Sequence, residues 1–209
     1  MSKVKSLFVT FEGIEGSGKT YQSKKLFKSL VKKKIQVVLT REPGGSKSAE
    51  EIRKIILTGS KNKFTKNTDT LLYLAARNEH IVNKLKPEIL KKKNIICDRY
   101  IDSTLAYQVY GKGVNEKFVE NIHKEILGNV KPDFTFVLTV NIKKAFERIK
   151  KRKIKNRYDK FSLNFYKKVQ NAFIKIAKKN KRKYLILNNS TDTTEVEQVI
   201  LKKFIKLLN

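Results

Sequence analysis

The apolar residues of this chain gather in five short, continuous runs rather than in alternating patterns. The runs are Leu7–Phe11, Val37–Leu39, Ile95–Cys97, Phe134–Leu138 and Tyr184–Leu187. Most of their residues are β-branched or aromatic, which favours strands. Because apolarity is continuous along each run, we expect strands that are buried on both faces of a sheet.

Longer segments with helical spacing separate these runs. Examples are Leu26, Leu30 and Val31, and further on Leu71, Leu72, Ala75 and Ala76. The last segment, Glu195–Leu208, repeats apolar residues every three or four positions and predicts a closing amphipathic helix. Strands that alternate with helices predict an α/β fold, with five parallel strands and helices on both faces of the sheet.

Domain organisation and cellular setting follow from length and composition. The 209 residues contain no fixed-period repeat and no linker rich in Pro, Gly or Ser, so we expect one domain over residues 1–209. No apolar run reaches the roughly 18 residues that a bilayer span requires, and the basic start lacks a cleavage pattern. The lone cysteine, Cys97, cannot form an internal disulfide and is expected in the core. A cytoplasmic protein without membrane contact is predicted.

The charge of the chain is strongly positive. It carries 48 Lys and Arg against 19 Asp and Glu, a net charge of +29, but only 8 of the cations are Arg. The Lys residues are spread along the whole chain, which is typical of a composition bias, although a surface selected for polyanions stays an alternative. The few Arg residues are more informative, because Arg offers a planar, bidentate fork.

A phosphate-binding pattern follows the first predicted strand. It consists of Gly13, Ile14, Glu15, Gly16, Ser17, Gly18, Lys19 and Thr20, hereafter the phosphate loop. Its glycines let successive backbone N–H groups approach phosphate oxygens, its Lys meets the β- and γ-phosphates, and its hydroxyl suits Mg²⁺. A helical pattern begins directly after the loop. This combination predicts a nucleoside triphosphate site.

Two further groups follow predicted strands. Asp98 and Arg99 come directly after the run that ends at Cys97, at the edge of an α/β sheet where ligands bind. An acid there can hold the water shell of Mg²⁺, and the Arg can hold a phosphate. The segment Arg41–Gly45 reads Arg-Glu-Pro-Gly-Gly and predicts a tight turn at the same edge.

Together these motifs resemble the thymidylate kinase family over nearly the whole chain. The segments that carry the resemblance are Phe11–Thr20, Arg41–Gly45, Leu71–Arg77, Asp98–Gln108 and Asn156–Asp159. The resemblance implies a P-loop NTPase fold and a kinase that uses ATP and Mg²⁺, with Thr20 and Asp98 organising the metal. It also implies a homodimer.

The resemblance also implies an acceptor site. Tyr73 lies where the family usually places a Phe that stacks on thymine, and Arg77 would reach the base or the monophosphate. Arg53 and Arg99 would hold the monophosphate, while Tyr107 would exclude a 2′-hydroxyl. The remaining candidates are Thr104 and Gln108 in the base pocket and Glu15 near the sugar 3′-OH.

A basic segment, residues 143–160, has ten Lys and Arg in 18 positions and coincides with the mobile lid of the family. Some relatives carry a catalytic Arg in the phosphate loop, and this chain has none there. The lid is therefore expected to supply the charge for the transferred group. Arg148, Arg152 and Arg157 are the candidates, with Arg152 and Arg157 preferred. Asn156 replaces the usual acidic residue before the lid arginine.

The predicted reaction is phosphoryl transfer from ATP to thymidine 5′-monophosphate, with Lys19, Arg99, Arg152 and Arg157 as the catalytic residues. Two alternatives remain: a kinase for another nucleotide or nucleoside, and an ATP-dependent nucleic-acid-binding protein suggested by the +29 charge. Specific nucleic-acid binding is not expected, because the excess charge is diffuse Lys. His80 and His123 lack partners at metal-ligand spacing and are interpreted as structural.

Overall fold

A single parallel sheet organises the part of the chain that the structure describes. The computed structural model describes residues 6–152, 156–191 and 194–208. Its strands are β1 Phe8–Glu12, β2 Val37–Arg41, β3 Asn94–Asp98, β4 Phe134–Thr139 and β5 Tyr184–Asn188. Neighbouring strands all pair in parallel, in the order β2-β3-β1-β4-β5. The predicted five-stranded α/β fold is confirmed.

Each strand extends at its carboxyl end beyond the apolar run that predicted it. The final residues are polar: Glu12, Arg41, Asp98, Thr139 and Asn188. In the register of the sheet, Asp98 pairs with Phe11 on one side and with Arg41 on the other. An apolar pattern necessarily stops before such residues. The polar ends therefore meet at one edge, where a parallel α/β sheet places its ligands.

Helices connect the strands throughout. The α-helices of the described residues are α1 Lys19–Lys32, α2 Lys47–Leu57, α3 Lys66–His80, α4 Lys86–Leu90, α5 Ile101–Thr104, α6 Glu116–Leu127, α7 Ile142–Lys150, α8 Leu163–Lys179 and α9 Glu195–Leu208. Two π-helical segments, Ile81–Leu85 and Leu105–Gly111, continue α3 and α5, and Arg157–Lys160 forms a 3₁₀ turn. The closing helix has its predicted bounds. No helix among these residues combines the length and apolarity needed to cross a membrane.

The core lies on both faces of the sheet. On one face α1 and α9 bury Leu30 and Phe204 against the stacked rings of Phe11 and Phe136. On the other face α8 contributes apolar side chains to a second cluster, and Cys97 is buried as expected. Helical spacing alone does not identify the buried side of a helix: Val31 and Leu71 fit the pattern but are about half exposed. The two covered faces leave the carboxyl edge as the open side.

Candidate functional site

The phosphate loop is braced from outside the site. Gly16 and Gly18 have φ angles of 74° and 89°, which favour glycine, and a side chain at either would collide with α7 or with Asn189. The Nη1 atom of Arg148 donates to the carbonyl oxygens of Gly16 and Asn189, both at 3.0 Å. The Asn189 amide donates to the Ser17 carbonyl at 2.8 Å. Residues from α7 and from the end of β5 thus set the shape of the loop.

Lys19 begins α1 and points back under the loop. Its Nζ donates to the Ile14 carbonyl oxygen at 2.7 Å, and the residue is only 6% exposed. Burial, helped by the positive charge of Arg99, lowers the pKa of Lys19 to about 7. An anionic ligand beside it would favour the charged form. The geometry therefore suits a polyphosphate.

Thr20 and Asp98 meet across the site. The Thr20 hydroxyl donates to Oδ2 of Asp98 at 2.5 Å, while Oδ1 of Asp98 is buried without a hydrogen-bond partner among the described residues. A hydroxyl and a free carboxylate oxygen are donors that Mg²⁺ accepts, completed by water and ligand phosphates. The described residues contain no cluster of three or more His, Cys, Asp or Glu that could hold a metal. The donor set fits a nucleotide-bound Mg²⁺ rather than an all-protein cage.

Arg99 links the phosphate loop to the next pocket. It follows β3 in a left-handed conformation, with φ 75°, and donates to the Gly13 carbonyl at 2.9 Å and to Glu15 at 2.8 Å. Tyr107 donates its hydroxyl to the other oxygen of Glu15. Although burial by itself raises the pKa of Glu15, the charges of Arg99 and Lys19 hold it below its ordinary value. Glu15 is thus a fixed anionic acceptor between the two halves of the site.

The Arg-Glu-Pro-Gly-Gly turn orients Arg53. The peptide bond between Glu42 and Pro43 is cis, and Nη1 of Arg53 donates to the Pro43 carbonyl at 2.6 Å. Glu50 accepts from the Gly45 amide at 3.0 Å and ties α2 to the same turn. Burial, and then the neighbouring charge of Arg41, lowers the pKa of Arg53. Arg53 is a partly buried cation at the cavity wall.

Arg77 donates nearly all of its side-chain N–H groups to other residues of the protein. Its Nε donates to Glu42 at 2.7 Å, Nη1 donates to Thr104 at 2.8 Å and to His123 at 2.7 Å, and Nη2 donates to the Tyr100 carbonyl at 2.8 Å. These bonds use four of the five guanidinium N–H groups. One N–H, on Nη2, remains for a ligand.

An aromatic wall closes the pocket. The rings of Tyr73 and Tyr158 lie edge to face with centroids 6.0 Å apart, and Tyr107 meets Tyr158 at 5.8 Å. Gln108 donates to the Tyr158 hydroxyl at 3.3 Å. Burial raises the pKa of Tyr73, so its hydroxyl stays neutral. A flat apolar ring would fit beside this wall with polar groups near its edge.

One cavity of about 240 Å³ joins these parts. Every predicted acceptor residue lines it: Glu15, Arg53, Tyr73, Arg77, Arg99, Thr104, Tyr107 and Gln108. Lys19, Thr20 and Asp98 line it from the donor side. The sequence motifs, though far apart along the chain, therefore converge.

The three arginines of the basic segment have different surroundings. Arg148 braces the phosphate loop. Arg152 lines the cavity with its side chain 39% exposed, and its Nη1 lies 3.4 Å from Asp159. Arg157 is 1% exposed and donates to Asp69 and to the Ile56 carbonyl, outside the cavity lining. Residues 153–155 of the predicted lid lie outside the described part of the chain.

Asn156 begins the 3₁₀ turn as its cap. Its side-chain oxygen accepts from the Tyr158 amide at 2.8 Å, and its own amide donates to Asp159 at 2.9 Å. Reciprocal bonds of this kind form a capping box. The neutral residue Asn156 thus fixes the start of this turn by hydrogen bonds.

Sequence reasoning overlooked two buried residues that support the site from outside the cavity lining. Asp69 is fully buried and accepts from Arg157, Lys112 at 2.6 Å and Tyr158 at 2.9 Å. Nothing in its local pattern distinguishes it from an ordinary acid in the first turn of a helix. His123, interpreted as structural, contacts the predicted ligand-binding Arg77. Its partner is 46 positions away in sequence, so spacing could not reveal the contact.

Comparisons with known proteins identify the family. The family model for thymidylate kinase matches residues 11–200. A thymidylate kinase of Acholeplasma laidlawii is 37% identical over 204 residues, covering 97% of this chain and all of that protein. One of Wolbachia pipientis wMel is 44% identical over 175 residues, covering 82% of this chain and 85% of that protein.

A solved structure extends the agreement to the fold. The thymidylate kinase of Ehrlichia chaffeensis superimposes with a TM-score of 0.77 at 34% identity, covering 98% of this chain and 100% of that one. Sequence, site and fold therefore lead to the same family, and the chain belongs to the thymidylate kinase family.

Proposed function

We propose that this chain transfers the γ-phosphoryl group of ATP to thymidine 5′-monophosphate (dTMP), forming ADP and thymidine 5′-diphosphate. The observation that supports this most directly is the continuity of the cavity. It runs from the phosphate loop, past Arg99, to an aromatic wall. This path would let the phosphates of a donor and an acceptor nucleotide meet near Arg99.

On the donor side, Lys19 and the phosphate loop would bind the β- and γ-phosphates. Thr20 and Asp98 would hold Mg²⁺ through a hydroxyl and a carboxylate oxygen. When bound, the ion supplies positive charge to the β- and γ-oxygens. The brace from Arg148 and Asn189 keeps the loop in shape before ligand arrives, so little reorganisation is needed.

On the acceptor side, Arg53 and Arg99 would hold the monophosphate, with Glu15 accepting from the sugar 3′-OH. Tyr73 would stack on the base, and polar groups from Arg77, Thr104 and Gln108 would meet its edge. The acceptor phosphate is already a competent nucleophile, so no general base is needed. Catalysis then consists of positioning and charge neutralisation.

The transferred group needs positive charge that forms with the transition state. Arg99 lies between the two halves and Arg152 reaches the cavity from the basic segment. Arg157 is also a candidate from the sequence, but its side chain is committed to Asp69. The geometry therefore supports Arg152 as the lid cation that meets the transferring phosphoryl group.

A monophosphate panel tests the proposed function. Coupled ADP release would be measured with dTMP, dUMP, dCMP, dAMP, dGMP and UMP, each with ATP and Mg²⁺. We expect kcat/KM to be highest for dTMP. A higher value for another monophosphate would assign the enzyme to that substrate. Turnover that requires added DNA or RNA would instead support the nucleic-acid-dependent alternative.

Discrimination against a 2′-hydroxyl is predicted to depend on Tyr107. The residue is 4% exposed, its hydroxyl is held by Glu15, and its ring packs against Tyr158, Phe165 and Phe173. A fixed ring leaves no room for an extra hydroxyl. Tyr107→Ala should lower the ratio of kcat/KM for dTMP over ribothymidine monophosphate by about tenfold or more.

Tyr107→Phe is the matched control for that prediction. It keeps the ring and removes only the hydroxyl, so it should retain most of the preference for the deoxy substrate. If Tyr107→Ala kept the wild-type ratio, the ring would be a packing residue without a role in sugar selection.

We also propose a homodimer, as membership of the family implies. An exposed apolar stripe supports it: Leu71, Ala75 and Val82 lie on one side of α3 and its π-helical continuation. Contiguous exposed apolar residues on a soluble protein are typical of protein–protein contact sites. Sedimentation velocity should give a dimer for the wild type and a monomer for Leu71→Asp. A monomeric wild type would contradict the proposal.

A further inference from the structure

Two histidines that the reaction does not use stand at either end of a buried hydrogen-bond chain through Arg77. His80 donates from Nδ1 to one oxygen of Glu42 at 2.9 Å, and its Nε2 lies 2.7 Å from the Thr40 hydroxyl. The other oxygen of Glu42 accepts from Arg77 at 2.7 Å. Beyond Arg77 the chain ends at Nε2 of His123, on α6.

We propose that His123 is a positioning residue that, together with Glu42, fixes the guanidinium of Arg77 so that one defined N–H is offered to an oxygen of the acceptor nucleotide. This inference rests on the proposed function. It adds a residue that touches no ligand and lies outside the cavity lining.

His123 can only accept a hydrogen bond from Arg77. The residue is 6% exposed, and burial together with the charge of Arg77 lowers its pKa to about 3. The neutral ring carries one proton, and since Arg77 can only donate, Nε2 must accept. A protonated His123 would place two cations 2.7 Å apart, which the site could not hold.

Removing this acceptor would release Arg77. Its Nη1 would then have an unpaired N–H in a buried setting, which is costly. The guanidinium would turn, or bind water, to satisfy that donor, and the remaining contacts to Thr104 and Tyr100 would shift with it. The N–H directed at the ligand would lose its fixed place.

The substitutions His123→Phe and His123→Gln test the proposal. Phe keeps the ring and removes the acceptor, whereas the side-chain amide of Gln reaches the position of Nε2 and can accept there. For His123→Phe we expect the KM for dTMP to rise about tenfold, with kcat and the KM for ATP within about twofold of wild type. His123→Gln should restore most of the affinity. Lys124→Ala, an exposed neighbour on α6, is the control and should match the wild type.

A double-mutant cycle with Arg77→Lys separates positioning from packing. If His123 acts through Arg77, then His123→Phe should add little to the KM of Arg77→Lys, because Lys cannot make the four bonds. Multiplying effects would instead mean that His123 is only a packing residue, and the inference would be wrong. Thermal unfolding of each variant would confirm that the measured protein is folded.

Failure of this inference is distinguishable from failure of the proposed function. Calorimetric binding of dTMP to the wild type and to His123→Phe does not depend on turnover. Unchanged dTMP affinity in His123→Phe, in a wild type that phosphorylates dTMP, would overturn the role of His123 alone. A wild type that neither binds nor phosphorylates dTMP would overturn the proposed function and, with it, this inference.

Discussion

Replacing Lys19 by Ala is expected to lower kcat by about 100-fold or more, the range found when a preorganised charge at a reacting group is lost. The side chain is buried and held against the Ile14 carbonyl at 2.7 Å, so its amino group is already in place when ATP arrives and its charged form is favoured by the phosphates. Arg148 and Arg99 also contact the loop, but their guanidinium groups are held by the Gly16 and Gly13 carbonyls, so neither takes the place of Lys19. Steady-state ADP release at saturating ATP measures the effect.

Lys28→Ala is the matched control for Lys19→Ala. Lys28 lies on the same helix α1 but is exposed, and its loss should leave kcat unchanged. The circular dichroism spectra of both variants should match that of the wild type. Wild-type turnover in Lys19→Ala would contradict the assignment of the donor phosphates to this loop.

The second large effect is expected at the arginines of the basic segment, where substitution of Arg152 and substitution of Arg157 should have different consequences. Arg152→Ala should lower kcat by about 100-fold or more with little change in the KM for dTMP, because the charge is needed only when the phosphoryl group is in transfer. The side chain reaches the cavity and is held only loosely, 3.4 Å from Asp159.

Arg157→Ala should act through stability instead. Its partner Asp69 is fully buried and keeps only Lys112 as an ion-pair partner after the substitution. The loss should therefore approach, without reaching, the about 3–5 kcal/mol that breaking a buried ion pair outright typically costs. We therefore expect a clear drop in the unfolding midpoint and a smaller change in kcat at low temperature. If Arg152→Ala altered only the KM and Arg157→Ala abolished kcat without destabilisation, the two roles would be reversed.

Much of the fold could be predicted from the sequence, because buried strands are visible there as continuous apolar runs. All five strands lay where continuous apolar runs predicted them, and the closing helix had its predicted bounds. The carboxyl ends of the strands were missed, since they are polar. The exposed sides of α1 and α3 were also missed, because Val31 and Leu71 fit a helical repeat whose direction only packing decides.

The residues of the candidate site that belong to sequence motifs could be predicted. The residues expected around the acceptor all line the cavity, and their individual roles stay predictions. The side-chain pairs that hold the surroundings of the site together were harder to predict. Asp69 with Arg157, and His123 with Arg77, join residues that are 88 and 46 positions apart. Such contacts depend on how helices pack, and one sequence contains no local sign of them.

The contacts that Arg148 and Asn189 make with the phosphate loop also affect when the loop takes its shape during synthesis of the chain. The loop leaves the ribosome well before Arg148 and Asn189, which lie 132 and 172 positions after the loop residues that they bind. Its strand β1 is central and pairs with β3 and β4, which are made much later. Because such non-local contacts must wait for the chain, they form late. A partly synthesised chain therefore carries the complete motif without its nucleotide-binding shape.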